Sequence, residues 1–127
     1  GRAVGPLVPA TLAILAALLS TPFLPSLDGA ILVLEDVHEA AHRIDRYLTQ
    51  LEHAHLLCRL GGLVFGSFTD GEDSEWLPSI FAEFAAKIPG PVVCGLPFGH
   101  QFPSISLPVG RLARLEATAD HVRLGWE

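Results

Sequence analysis

The chain has 127 residues, of which half are hydrophobic and 17% are charged, and its formal net charge at pH 7 is −6. This composition excludes an intrinsically disordered chain, and the acidic balance argues against nucleic-acid binding, which needs a basic face. The length suits a single domain over residues 1–127. Because the sequence contains no methionine, we expect a processed product or an excised domain, with a partner segment outside it.

The first predicted elements are a short strand and an apolar helix. The strand is predicted over Ala3 to Val8 and the helix over Leu12 to Leu19. The helix is apolar on nearly every face, so it should be deeply packed, and the Thr11 hydroxyl should cap its first turn. The apolar run from Leu7 to Leu19 is shorter than the ~20 residues that span a bilayer. We therefore expect no membrane segment.

The stretch from Ala30 to Arg46 is the most informative part of the chain. Ile31 to Leu34 is a continuous apolar run, typical of a strand covered on both faces. It ends in Glu35 and Asp36 and then leads into an amphipathic helix predicted over Ala41 to Leu57. Active sites of α/β proteins gather at the carboxyl ends of parallel strands. Glu35 is therefore a candidate catalytic residue.

The second half of the chain begins with one more helix between two buried strands. The strands are predicted at Leu63 to Phe65 and at Val92 to Leu96, and an apolar stripe from Leu77 to Ile88 marks the helix, with Ser74 as its cap. Three further short strands are predicted at Ile105 to Pro108, Arg111 to Glu116 and His121 to Trp126. These elements predict an α/β fold with a mixed, largely parallel sheet and helices packed on it.

A first candidate site is the motif His38-Glu39-Ala40-Ala41-His42. On a helix, the H-E-x-x-H spacing places two imidazoles on one face to bind zinc, with the glutamate as general base. However, His38 and Glu39 precede the amphipathic stripe, and no third ligand stands at a known spacing. A polar entrance to the helix explains the same residues.

A second candidate site pairs Glu35 with His100, since each follows a buried strand. If the two strands are parallel and close in the sheet, both side chains emerge at one edge. A carboxylate bound to one imidazole nitrogen fixes the tautomer, and the other nitrogen can then serve a nucleophile as base and later as acid. The alternative is an unrelated acid and a loop histidine.

A third candidate is a cysteine nucleophile, either Cys58 or Cys94. Both stand in apolar surroundings, where a thiol is hard to ionise. We expect buried, reduced thiols, which fits a reducing compartment.

Several segments together resemble one family, the LD-carboxypeptidases, which are serine peptidases also called muramoyltetrapeptide carboxypeptidases. The resemblance covers the chain from Gly5 to about Glu116, and its specificity comes from the order and spacing of the segments. The segments are Ser20–Phe23 (STPF), Leu32–Val37 (LVLEDV), Arg43–Leu51 (RIDRYLTQL), Gly95–His100 (GLPFGH) and Leu107–Gly110 (LPVG).

The resemblance implies a fold and a reaction. The fold is the swivelling β/β/α unit of the family's carboxyl-terminal domain. The reaction is removal of the terminal D-alanine from cytoplasmic murein tetrapeptides by a Ser–Glu–His triad without a cofactor or a metal. Glu35 and His100 match the triad's glutamate and histidine, while its serine belongs to a separate amino-terminal domain outside this chain. A cytoplasmic location and a homodimer are also implied, and a related branch cleaves microcin-type conjugates.

The chain departs from the family pattern before the first helix. Pro9-Ala10-Thr11 stands where the family usually has Gly-Gly-Asn, and Ser20 replaces a glycine. No serine of the chain lies in a G-x-S-x-G turn, so we expect the chain to be inactive alone. The departures also leave open a non-catalytic interaction domain.

Overall fold

The computed structural model describes all residues from 1 to 127. It contains three α-helices, six strands and two short 3₁₀ turns. The helices are α1 (Leu12–Ala17), α2 (Ala41–His53) and α3 (Leu77–Ala85), and the 3₁₀ turns are Leu57–Arg59 and Ser74–Trp76. The strands are β1 (Arg2–Thr11), β2 (Ile31–Val37), β3 (Gly62–Thr69), β4 (Val92–Cys94), β5 (Leu112–Ala117) and β6 (Val122–Trp126).

The six strands form one mixed sheet in the order β4-β3-β2-β1-β5-β6. Strands β1 to β4 are parallel, and β5 and β6 are antiparallel additions. Strand β1 joins the two parts, because Leu7–Thr11 pairs with β2 and Arg2–Pro6 pairs with β5. This arrangement confirms the predicted α/β fold with a largely parallel sheet.

Strand β2 separates two hydrophobic cores. Leu32 and Leu34 face a large core built with the three helices. Ile31 and Val33, on the opposite face, join a smaller core with Leu115 of β5. Because side chains alternate along a strand, the continuous apolar run fills both cores, as the sequence predicted.

Helix α1 is shorter and less buried than predicted. It ends at Ala17, and Ile14 is 62% exposed while Leu12 and Leu15 are buried. An apolar face in the sequence cannot by itself reveal that the chain leaves that face without a covering element. The prediction of a helix packed on nearly every side is therefore wrong.

The Thr11 hydroxyl makes no capping hydrogen bond to α1. Instead, the backbone N–H of Ala13 donates to Asp36 Oδ2 at 2.8 Å. The cap comes from a neighbouring strand, at a distance in sequence that local patterns do not cover. Ser74 is likewise not a cap of α3, because it lies inside the 3₁₀ turn that precedes the helix.

The predicted strand at Ile105 to Pro108 is absent, and the chain is irregular there. Pro103 and Pro108 lack the N–H groups that a strand ladder needs, and Leu107 packs on the smaller core instead. The strands predicted at Arg111 to Glu116 and His121 to Trp126 are present as β5 and β6, within one residue at each end.

Both cysteines are exposed, which corrects the expectation of buried thiols. Cys58 lies in a surface 3₁₀ turn, and Cys94 ends the three-residue edge strand β4, which has a neighbour on one side only. Partial burial around the sulfur still raises the pKa of the Cys94 thiol, which disfavours a thiolate nucleophile.

None of the helices has the length and apolar character needed to cross a membrane.

Candidate active site

Glu35 lies at the carboxyl end of β2, on the face of the smaller core. It is opposite Thr11 in the parallel pairing of β1 with β2, and it is only 3% exposed. A buried carboxylate is unfavourable unless its oxygens accept hydrogen bonds. Both carboxylate oxygens of Glu35 have a hydrogen-bond partner, so this end of β2 carries a satisfied, buried carboxylate within an apolar sheet.

The first partner is His100, which follows β4. Its Nδ1 lies 2.7 Å from Glu35 Oε2. The hydrogen bond to the Glu35 carboxylate and its negative charge raise the pKa of His100 above its ordinary value. The imidazole side chain is 55% exposed, and its Nε2 makes no hydrogen bond within the chain. The sequence prediction that these two side chains share one sheet edge therefore agrees with the structure.

The second partner is Thr11, whose hydroxyl donates to Glu35 Oε1 at 2.5 Å. The sequence placed this hydroxyl in a cap and did not associate it with the site. The alignment of Thr11 with Glu35 depends on the register of β1 against β2. Register could not be derived before the pairing of these strands was known.

The loop that carries His100 is held against β3. The Phe98 carbonyl accepts two hydrogen bonds from Ser67, one from its N–H at 2.8 Å and one from its hydroxyl at 2.9 Å. Gly99 has a φ of 136°, and a Cβ there would lie 2.1 Å from Ser67 Oγ and 2.8 Å from Glu35 Oε2. Only glycine allows the loop to pass this closely over the carboxylate.

The next residue, Asp36, serves the opposite face of the sheet. It is 3% exposed, and its two oxygens accept from the N–H groups of Ala13 and Val37 at 2.8 and 2.9 Å. It therefore fixes the start of α1, and with it the turn after Thr11. The two neighbouring carboxylates thus have different hydrogen-bond partners. Asp36 makes no hydrogen bond to His100, although its charge adds to the raised pKa of His100.

The H-E-x-x-H motif does not form the candidate zinc site. His38 has a φ of 58° and precedes α2, which begins at Ala41. The two imidazoles therefore do not stand one helical turn apart, and no group of three His, Cys, Asp or Glu residues has metal-binding geometry. Glu39 forms an ion pair with Arg43 at 2.8 Å. The motif is a polar helix entrance.

The site contains an orienting acid and a base but no aligned nucleophile. Ser67 donates its hydroxyl to the Phe98 carbonyl, and Thr11 donates its hydroxyl to Glu35. Neither hydroxyl is bonded to His100. Chemically, the arrangement can accept a proton at Nε2 from a group that approaches from solvent.

Comparison with known families gives one match over most of the chain. Residues 4–115 match the model of the LD-carboxypeptidase C-terminal domain. A Streptomyces coelicolor protein, provisionally named a carboxypeptidase, is 42% identical over 118 residues, which cover 92% of this chain and 38% of that protein. The murein tetrapeptide carboxypeptidase of Pseudomonas aeruginosa is 42% identical over 101 residues, covering 77% of this chain and 32% of that enzyme. The chain thus spans about two-fifths or less of these relatives.

Solved structures give the same result. The muramoyltetrapeptide carboxypeptidase from Oxalobacter formigenes superposes with a TM-score of 0.88 at 33% identity, over 98% of this chain and 45% of that one. The microcin C7 self-immunity protein MccF superposes with a TM-score of 0.79 at 19% identity, over 90% of this chain and 35% of that one. The second likeness concerns the fold alone.

Proposed function

Because the chain belongs to the LD-carboxypeptidase family and corresponds to its carboxyl-terminal domain, we propose that Glu35 and His100 complete the triad of a serine carboxypeptidase. The proposed reaction is removal of the terminal D-alanine from murein tetrapeptides. The observation that carries the proposal is the 2.7 Å contact between Glu35 Oε2 and His100 Nδ1, with the carboxylate buried and the imidazole exposed.

In the proposed mechanism, Glu35 accepts the Nδ1–H bond and so leaves the Nε2 lone pair of His100 available. Nε2 removes the proton of the serine hydroxyl as its oxygen attacks the peptide carbonyl, and Glu35 stabilises the imidazolium. The imidazolium then protonates the departing D-alanine amine. Water, activated by the same nitrogen, hydrolyses the acyl-enzyme and restores the serine.

The serine would come from a segment outside these 127 residues. The length of the relatives supports this part of the proposal, since the chain spans about two-fifths or less of them. We expect the chain alone to release no D-alanine, because a base and its orienting acid without a nucleophile cannot form an acyl-enzyme. A cytoplasmic location and a homodimer stay predictions.

The choice of a murein peptide rests on sequence identity. A relative named as a murein tetrapeptide carboxypeptidase is 42% identical over the matched residues, whereas the self-immunity protein shares 19%. A microcin-type substrate is therefore the second candidate. A competition assay with both substrate classes distinguishes the two.

The test is D-alanine release by the full product of the coding sequence that contains these residues. We expect His100→Ala to lower kcat/KM on the order of a thousand-fold or more. The matched control is His121→Ala, because His121 is equally exposed and lies 3.9 Å from a glutamate, Glu116. Equal rates for the two variants would refute the proposed role of His100. A full-length protein without activity on either substrate class would favour the non-catalytic interaction domain.

A further inference from the structure

We propose that Thr11 is a positioning residue of this site, and that its hydroxyl holds the Glu35 carboxylate in the orientation that His100 requires. This inference rests on the proposed function for its catalytic consequence, but the geometry behind it is independent of the reaction. Thr11 Oγ1 lies 2.5 Å from Glu35 Oε1, on the oxygen that His100 does not use.

The first argument concerns the freedom of the carboxylate. A glutamate side chain has a soft terminal torsion, so a single hydrogen bond to His100 would leave the carboxylate plane free to rotate. With Oε1 held by Thr11 and Oε2 held by His100 Nδ1, the plane is defined by two contacts on opposite oxygens. Imidazole orientation and tautomer then follow from a fixed acceptor.

The second argument concerns why the hydroxyl is available. Thr11 occupies the N-cap position of α1, where its side chain would ordinarily accept a backbone N–H. Asp36 Oδ2 binds the N–H of Ala13 instead. The hydroxyl proton of Thr11 is thus directed to Glu35. The turn that carries Thr11 is fixed by Asp36, the residue that follows Glu35 in sequence.

The third argument concerns the backbone beneath the contact. Thr11 and Glu35 are paired residues of two adjacent parallel strands, so their side chains leave the sheet side by side. Strand β2 is fully buried from Ile31 to Leu34. A contact built on two paired strands, one of them fully buried, is held more rigidly than one built on loops.

The test separates the hydroxyl from the shape of the side chain. Thr11→Val keeps the branched shape and removes the donor, whereas Thr11→Ser keeps the donor. In the full-length enzyme, we expect Thr11→Val to lower kcat roughly ten- to a hundred-fold with KM unchanged, since a hydrogen bond to a charged group is lost. Thr11→Ser should stay within about three-fold of the parent. Thr118→Val is the matched control, because Thr118 lies beside an exposed imidazole, that of His121, away from the site.

A double substitution tests whether Thr11 acts through Glu35. In a Glu35→Gln background, Thr11→Val should lower kcat by less than about three-fold, because coupled residues are not additive. Full additivity would show that Thr11 acts independently of Glu35, and a rise in KM with kcat preserved would show that it acts on substrate binding. Either result would overturn the proposal. Equal losses for Thr11→Val and Thr11→Ser would also overturn it.

A readout without activity keeps this inference distinct from the proposed function. In the 127-residue chain, the Nδ1 proton of His100 should give a resolved NMR signal in the parent and in Thr11→Ser, and a broadened or lost signal in Thr11→Val. An unchanged signal in Thr11→Val would refute the positioning role. If no full-length protein releases D-alanine, the proposed function fails while this experiment still decides the role of Thr11.

Discussion

The chain contains two histidine–glutamate pairs, and they differ in the environment of the carboxylate. The imidazoles are almost equally exposed, at 55% for His100 and 56% for His121. The side chain of Glu35 is 4% exposed and lies 2.7 Å from its imidazole, whereas the side chain of Glu116 is 27% exposed and lies 3.9 Å from its own. Glu116 also forms an ion pair with Arg2 at 2.9 Å.

The difference indicates that the surroundings of the acid decide whether it can hold an imidazole in one orientation. A buried carboxylate interacts strongly with its partner, because little water competes with or screens the contact. A partly exposed carboxylate with a competing guanidinium does not orient one imidazole. The pair of Glu116 and His121 is thus an internal control for the pair of Glu35 and His100, and the following substitutions test the contrast.

The largest effect on activity is expected from removing the charge of Glu35, with the same change at Glu116 as the control. Glu35→Gln should reduce kcat/KM for D-alanine release on the order of a thousand-fold, because the imidazolium loses its stabilising charge. Glu116→Gln should stay close to the parent. Steady-state assays on the full-length protein measure both, and similar losses would remove the distinction between the pairs.

The next effect concerns the close passage of the loop over Glu35. Gly99→Ala combines an unfavourable φ with contacts to Ser67 Oγ and Glu35 Oε2, while Gly110→Ala has a φ of 78° and no atom within 4 Å. We expect Gly110→Ala to lower the free energy of unfolding by about 1–2 kcal/mol. Gly99→Ala should lower it by about 1–3 kcal/mol more, because of overpacking. Urea denaturation measures both, and equal losses would contradict the close packing.

A smaller effect concerns the anchor of the same loop. Ser67→Ala removes one of two hydrogen bonds to the Phe98 carbonyl and should lower the free energy of unfolding by about 0.5–1.5 kcal/mol. The control is Ser79→Ala, because the Ser79 hydroxyl makes the same kind of bond to the Trp76 carbonyl at an exposed position. We expect a smaller loss there in urea denaturation. The reverse order would indicate that the Ser67 hydroxyl is not an anchor.

The smallest effect is the pH dependence that follows from His100. Its pKa is raised in the folded chain, so protonated His100 stabilises the fold fully at pH values below the ordinary pKa of about 6.5. This stabilisation is lost as the pH rises through the folded pKa. NMR titration of the ring and urea denaturation at several pH values should both follow this direction. In Glu35→Gln the pKa should fall, and an unchanged titration would refute the assignment of the shift to Glu35.

The same titration governs activity under the proposed mechanism. Nε2 can accept the serine proton only when His100 is neutral. The acid limb of kcat/KM should therefore follow the pKa of His100 in the free enzyme. An acid limb that does not move in Glu35→Gln would assign the base to another residue.

The sequence was sufficient for the features that arise from strand ends. The apolar run Ile31 to Leu34 revealed a strand buried on both faces, and the positions of Glu35 and His100 after such strands predicted their shared edge. These inferences needed only the alternation of side chains and the parallel arrangement of the sheet. Their agreement with the structure concerns placement, while the catalytic role of the two residues stays a prediction.

The features that the sequence could not reveal depend on strand register and on contacts between distant segments. Thr11 was expected to cap α1 because the local pattern favours it, but Asp36 from β2 binds the helix instead. The sequence already placed His38 before the helix, but it could not reveal the left-handed backbone conformation of that residue. The strand predicted at Ile105 to Pro108 did not form, because Pro108 and the preceding Pro103 lack the N–H groups of a strand ladder.

Strand β1 has a mechanical consequence for the whole sheet. Its first half belongs to the antiparallel ladder with β5 and its second half to the parallel ladder with β2. Both ladders use β1, so the loss of one set of strand pairs weakens the strand that the other set needs. Denaturation should therefore occur in one cooperative transition. Fluorescence of the two tryptophans tests this, since Trp76 precedes α3 and Trp126 ends β6. Both signals should change at the same temperature. Because β1 pairs with both parts of the sheet, the β5–β6 hairpin and the strands packed on the helices should unfold at one melting temperature.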